Sequence, residues 1–393
     1  MFRTRRPIPL AWRNLVHDPR KLAVTVGGIG FAVFLMFIEM GFKNALIDST
    51  VEVVQRVNGE LLLVNTARYA LPSRARFDRQ RLWQARQHPA VAGGYPVYFE
   101  NLYSVLKKVD EKGFPIRVVA FNLNDPVFVS PDIERHVDAL RAPQTAIIDT
   151  KSKRKYGLAP ITERTVPQQT VELADKDIKL VGTFTMGTDF ANDGNIVMSA
   201  ANFARCFPYM NPGEDPLNQI DIGVIQLHPN SNLKAVQREL AALLPNDVHV
   251  YTKQEFIDQE KAFWNRSTRV GYIFSVGMVM GFVVGVIICY QIIYSDIADH
   301  MGEFATLKAM GYKNDYFVRL VIQQAIYLSL FGFIPGLIFS WGVYHLLASM
   351  TGLLLRLTFW RGLLVLVMTT TMCIAAGCFA MRKLVSADPA DLF

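Results

Sequence analysis

The chain has 393 residues, of which 51% are apolar and only 19% charged, with a formal net charge of +7. Soluble globular proteins carry about 25% charged residues, and the apolar residues here gather in four blocks, which excludes a wholly water-soluble fold. The positive charge does not point to nucleic acid. Arg3, Arg5, Arg6, Arg13, Arg20 and Lys21 all precede the first apolar block, the placement of a cytoplasmic flank that also meets anionic lipid headgroups.

Residues 1–21 form a basic leader. Leu10, Trp12, Leu15 and Val16 alternate with Arg13, His17 and Arg20, a mixture that suits a short helix lying on the inner membrane surface; a disordered basic segment is the alternative. Leu22–Met40 then supplies the about 20 apolar residues needed to cross a bilayer, so residues 22–43 are expected to be transmembrane helix 1. The block is too long for a typical signal peptide, and no small-residue cleavage site follows it. Glu39 lies eighteen residues after Lys21, about 27 Å along a helix, near the outer interface where water reaches it.

Residues 44–268 have ordinary soluble composition and read as a mixed α/β domain. Strands are predicted over Glu60–Asn65, Val97–Val109, Ile116–Phe121, Thr145–Asp149, Ile178–Thr185, Asn195–Met198, Ile220–Leu227 and Val248–Tyr251, from their Val, Ile, Leu, Tyr and Phe content. Asp110-Glu-Lys-Gly113 reads as a turn. Helices are predicted over Phe77–Gln87, Ser199–Cys206, Leu233–Leu244 and Lys253–Trp264, the third with Asn232 as N-cap. The middle part, residues 144–218, is richer in turn residues and reads as an inserted subdomain.

Three further spans follow. Residues 269–294, 320–347 and 362–381 are predominantly apolar and are expected to be transmembrane helices 2, 3 and 4. The positive-inside rule places the N-terminus, the 295–319 link and the 382–393 tail in the cytoplasm, and 44–268 and the short 348–361 loop outside. Arg356 and Arg361 on that loop run against the rule, while Trp360 beside them reads as an interfacial anchor.

Two patterns carry mechanism. Gly277, Gly281 and Gly285 recur every four residues on one face of span 2, and Gly332 and Gly336 repeat the spacing beside Pro335 in span 3. Such spacing lets another backbone approach closely, whether from this chain or from a second copy. In the 295–319 link, Ile297, Met301 and Phe304 share a helical face with Leu307 at its margin. Asp296 or Asp299 suits the start of a short helix and Lys308 its end, with Gly311 as the stop. This amphipathic helix packs on its own spans or docks in a groove of another protein; spacing does not choose. No Gly-x-x-x-x-Gly-Lys-Ser/Thr phosphate loop or Gly-x-Ser-x-Gly elbow occurs. The seven histidines are scattered and Cys-x-x-Cys is absent, so neither catalysis nor a metal site is expected. Cys206 stands alone in the 44–268 region, which therefore forms no internal disulfide.

One span, a large domain and three more spans with a cytoplasmic helix resemble the MacB/LolC/FtsX-type ABC permeases, and most of all their DevC branch. The resemblance rests on Ala11-Trp-Arg-Asn-Leu15, Leu35-Met-Phe37 with Gly41-Phe42, Gly281-Phe-Val-Val-Gly-Val286, Tyr290-Gln-Ile-Ile-Tyr-Ser-Asp296, Glu303–Tyr312, Gly332-Phe-Ile-Pro-Gly336 and Ala387-Asp-Pro-Ala390. It implies a non-catalytic homodimeric subunit, each copy paired with a separate ATPase that binds ATP and Mg. Asp296, Asp299, Met301, Glu303, Phe304, Leu307, Lys308 and Gly311 would form the coupling region seated on that ATPase. The domain between helices 1 and 2 would be periplasmic and engage a membrane-fusion adaptor and an outer-membrane factor, expelling a glycolipid, peptide or drug already in the periplasm or outer leaflet, with the chain itself in the inner membrane. Glu39 departs from the family, where an uncharged polar residue is expected. An FtsX-like signalling subunit, which activates cell-wall hydrolases without transport, is the rival reading.

Overall fold

The computed structural model describes residues 18–385 apart from 109–110, 168, 190, 212, 268, 300, 313, 352–354 and 356. The leader through residue 17 and the tail tract at 387–390 lie outside the described residues. The chain divides into two compact units, one of residues 45–268 with 349–354, the other of the remaining segments.

The helical unit is built on four helices long and apolar enough to cross a membrane. Helix α1 covers Pro19–Thr50. Asp18 starts it, its carboxylate accepting from the backbone N–H of Arg20 and Lys21 at 2.9 and 3.1 Å, with Pro19 at the first helical position where its missing N–H costs nothing. All four helices outrun the predicted spans, because the apolar windows marked only the stretch suited to hydrocarbon and not the polar turns at each end.

A shared core of Ile29, Val33, Met36, Phe37, Cys289, Ile293, Val321, Leu328, Met372 and Ala376 holds these helices together. The buried polar side chains among its described residues, Thr25, Gln324, Ser329, Ser340 and Thr369, are all uncharged. Ser340 and Thr369 donate to carbonyls one turn back, which satisfies a hydroxyl without an external partner.

The second unit is a mixed α/β domain around one large sheet. Its strands are β1 (Leu61–Asn65), β2 (Phe77–Asp78), β3 (Val91–Glu100), β4 (Val105–Lys107), β5 (Phe114–Pro115), β6 (Arg117–Phe121), β7 (Thr145–Asp149), β8 (Thr170–Leu173), β9 (Lys176–Phe184), β10 (Asn195–Ser199), β11 (Gln219–Ile220), β12 (Ile222–Leu227) and β13 (Val248–Thr252). Eleven of them run in the order β13-β1-β12-β3-β6-β10-β7-β9-β8-β4-β5, while β2 pairs with β11 separately. Only β6–β10 and β7–β9 are parallel pairs. Residues 144–218 supply β7 to β10 and join the same sheet through β6.

Both faces of the sheet are covered. Leu61 and Leu63 point into one apolar core, with Tyr98, Met198, Phe203 and Leu240, and Leu62 and Val64 into the other, with Phe99, Val197 and Phe256. That alternation follows from the two-residue period of a strand. Helices α2 (Gln80–Arg86), α3 (Ala200–Cys206) and α4 (Leu233–Leu243) contribute Leu82, Phe203 and Leu240 to the first core, and α5 (Lys253–Arg266) contributes Phe256 to the second. Asn232 caps α4, accepting from Ala235 N at 3.1 Å.

Two predicted elements are divided. The expected strand over 97–109 breaks after Glu100, whose buried carboxylate accepts from the N–H groups of Asn101, Leu102 and Tyr103 at 3.1, 2.8 and 3.1 Å. Those amides therefore turn inward instead of joining the ladder. The expected helix over 77–87 begins only at Gln80, since Phe77 and Asp78 pair with β11.

Candidate functional site

The 295–319 region lies in the helical unit, and its geometry differs from the single amphipathic helix predicted. The span-2 helix, α6, runs over Arg269–Asp299 without ending at the membrane boundary. A separate short helix, α7, covers Met301–Ala309, and α8 begins at Asn314 and continues to Thr351. The last long helix, α9, covers Phe359–Val385.

Asp296 and Asp299 therefore sit in the last turn of α6, not at the start of the short helix. A carboxylate there faces the negative end of the helix dipole. Asp299 is offset by Lys21, whose ammonium lies 2.6 Å from its Oδ2. Ile297 likewise belongs to α6 and is buried against Phe317 and Leu320 in the helical core.

Met301 and Leu307 pack partly on that same core, so these two apolar positions of α7 are used within the chain. Other positions are exposed: Gly302, Thr306 and Lys308 in α7, and Met310 and Tyr312 just beyond. Glu303 and Phe304 occupy the middle of α7. Lys308 lies in the last turn, where a cation favours the dipole.

The stop at Gly311 follows the sequence expectation in full. Gly311 has a φ of +93°, a left-handed conformation that glycine adopts without steric cost. Tyr312 N donates to Leu307 O at 3.2 Å and Gly311 N to Lys308 O at 3.0 Å, the paired bonds of a Schellman motif.

The glycines separate into three groups. Gly332 and Gly336 face α1: a Cβ on Gly336 would lie 2.8 Å from the carbonyl oxygen of Gly30, and one on Gly30 would lie 3.3 Å from that of Gly332. Backbone meets backbone there, and Phe34–Phe339 and Phe37–Phe333 close the seam on either side at centroid distances of 4.9 and 5.9 Å. Gly277 and Gly285 are also crowded, the first by the Glu39 carboxylate at 2.6 Å and the second by Met372 and Ala32. Gly281 is different, since a Cβ would find Met36 Cγ at 3.8 Å, an ordinary contact.

Three partners escaped the sequence reading. Lys21 was read only as a flanking charge. Gly30 stands in Gly27-Gly28-Ile-Gly30, a visible small-residue cluster whose use could not be inferred without its partner. Tyr344 donates its hydroxyl to Phe37 O, passing over Gly41, where any Cβ would strike the phenol ring.

Residues 275–389, which contain most of α6, all of α7 and α8 and the described part of α9, match the model of the FtsX-like permease C-terminal family. The match ends short of the α/β domain. No curated protein matches the chain. Among solved structures, the extracellular domain of the ABC-type transporter YknZ from Gram-positive bacteria is similar at 14% identity, over 50% of this chain and 100% of that one, with a TM-score of 0.35. The periplasmic region of MacB from Actinobacillus actinomycetemcomitans is similar at 10% identity, over 53% of this chain and 94% of that one, with a TM-score of 0.35. Among the described residues, no group of three or more His, Cys, Asp and Glu side chains could hold a metal ion.

Proposed function

We propose that the chain is the membrane subunit of an ABC exporter of the MacB/FtsX type, nearest its DevC branch. It relays ATP-driven movement from a separate ATPase to the α/β domain, which stands in the periplasm. The FtsX-like match over 275–389 carries this reading, because it covers the short helix α7 together with the spans that flank it. In this reading α7 is the coupling helix: Met301 and Leu307 fasten it to its own spans, and its exposed positions, with Glu303 beside them, meet the ATPase. ATP and Mg belong to that partner. Two copies act together, and a membrane-fusion adaptor and outer-membrane factor receive a lipid-like or amphiphilic cargo.

The uncharged interior of the helical unit supports a relay over a polar conduit, since a hydrophilic path through lipid is normally lined by ionisable groups facing inward. Sidedness labelling tests the topology. With Thr150→Cys and Ala305→Cys introduced singly, an impermeant thiol reagent should reach the first only from outside intact spheroplasts and the second only in inverted vesicles; labelling of both from one side defeats the proposal. Glu303→Ala and Phe304→Ala should abolish partner-stimulated ATP turnover while the chain still inserts. Coupled ATP turnover that activates a cell-wall hydrolase, with no amphiphile moved, would replace export by signalling.

A further inference from the structure

Helix α2, strand β3 and the 122–125 turn enclose a cleft of about 130 Å³ in the α/β domain. Glycine at position 94 of β3 lets α2 cross the strand closely beside the cleft. A Cβ on Gly94 would lie 2.8 Å from Arg86 Cγ and 3.1 Å from Leu82 Cδ1. Leu82, Trp83, Tyr95 and Pro96 line one side of the cleft; Leu82 and Pro96 are buried, while Trp83 is 50% exposed, a large apolar surface left in water.

Two cations stand against that ring. The guanidinium carbons of Arg79 and Arg86 lie 5.7 and 4.8 Å from the Trp83 ring centroid, and both side chains line the cleft. Neighbouring arginines are committed elsewhere: Arg74 to Glu100, Arg76 to Glu100 and Asp221, Arg81 to Asp247. Among the described residues, Arg79 and Arg86 have no carboxylate partner, and their side chains hold only the ring contact. Across the cleft, Asp125 accepts from the Asn122 amide at 3.0 Å. The lining is thus one charge positive, beside an apolar wall.

We infer that this cleft binds a small anionic amphiphile, a phosphate or carboxylate head on an apolar or aromatic body. The two guanidiniums supply the forked donors that match such a head. The body covers the exposed Trp83 ring and removes its surface from water. Asp125 repels a second anionic group, so a singly headed ligand fits better than a polyanion. The site requires neither the export reading nor the ATPase.

The test is calorimetric titration of the full chain in nanodiscs, with empty nanodiscs subtracted, using phenyl phosphate, inorganic phosphate and phenol in turn. Phenyl phosphate should bind saturably, one per chain, and each of the other two more weakly by about tenfold or more. Arg79→Gln with Arg86→Gln, and separately Trp83→Ala, should weaken phenyl phosphate by at least about tenfold, while Arg238→Gln changes nothing. Asp125→Asn, a change on the partly exposed turn, should tighten it. Absence of saturable binding overturns the site, as does unchanged affinity in the double arginine variant or weakened affinity in Asp125→Asn. Inorganic phosphate bound as tightly as phenyl phosphate also overturns it, because the apolar wall would then contribute nothing.

Discussion

Lys21 Nζ lies 2.6 Å from Asp299 Oδ2, joining the first turn of α1 to the last turn of α6 across 278 residues of sequence. The two ends it ties belong to helices that share the core of Ile29, Ile293 and Ile297. Asp299 is 62% exposed and Lys21 31%, so the pair itself is worth ~0–1 kcal/mol.

The dipole makes the two partners unequal. Removing Lys21 leaves Asp299 facing a negative helix end with less compensation, whereas Asp299→Asn removes both the attraction and the dipole conflict. Lys21→Ala should lower the thermal midpoint in detergent more than Asp299→Asn. The double variant should match Asp299→Asn to within about 0.5 kcal/mol. Equal losses from both single changes would show that the dipole conflict is absent.

Gly336→Ala and Gly281→Ala form a matched pair. The first puts a methyl 2.8 Å from the Gly30 carbonyl oxygen, a backbone atom that cannot turn aside; the second meets Met36 Cγ at 3.8 Å, an ordinary contact. Overpacking costs about 1–3 kcal/mol, so Gly336→Ala should lower detergent thermostability clearly. Gly281→Ala should leave it unchanged or raise it slightly, since alanine favours the helix. Equal responses would count against the α1–α8 backbone contact.

Glu260 is buried in the α/β domain and accepts from Leu71 N and Trp264 Nε1, each at 2.8 Å. Burial raises its carboxyl above the ordinary range, against the opposing pull of those two donors. An acid with a raised folded value contributes stability below its unfolded value and loses it as pH rises through the folded one. Glu260→Gln removes the charge but keeps one acceptor oxygen, so one of the two donors then faces an amide NH2. At pH 7 its stability should fall between wild type and Glu260→Ala. Glu260→Ala orphans both donors and should cost ~1–3 kcal/mol in thermal unfolding of the full chain.

Glu255 shifts the other way. The Lys234 ammonium beside it, with the Thr252 N–H at 2.9 Å, holds its carboxyl at about 2. Its contribution is present above the unfolded value of about 4.3 and disappears as pH falls through the folded one. The stability gap between wild type and Glu255→Gln should be full above about pH 5 and close towards pH 2. A gap that persists at the acid end would mean that the capping box, not the charge, supplies the difference.

The membrane elements were legible because about 20 apolar residues in a row have few other uses. The same simplicity hid their ends. Nothing between Tyr294 and Met301 is a glycine or proline, and Ile297, Met301 and Phe304 fall at helical spacing, so one helix was expected where two meet near His300. Gly311 could be read directly, as its role needs only its own backbone. The glycine ladders gave a face without a partner, and the partner Gly30 lies about 300 residues away in sequence. In the α/β domain, Ala92, Gly93 and Gly94 concealed the start of β3, because glycine weakens a strand.

The turn at Gly311 leaves little slack. Only residues 310–313 separate α7 from α8, and two cross-turn hydrogen bonds fix the departure angle of the chain. A thrust on the short helix would therefore reach α8 with almost no backlash. In the proposed relay, the bare-backbone seam of Gly30 and Gly336 would then carry α1 along with α8.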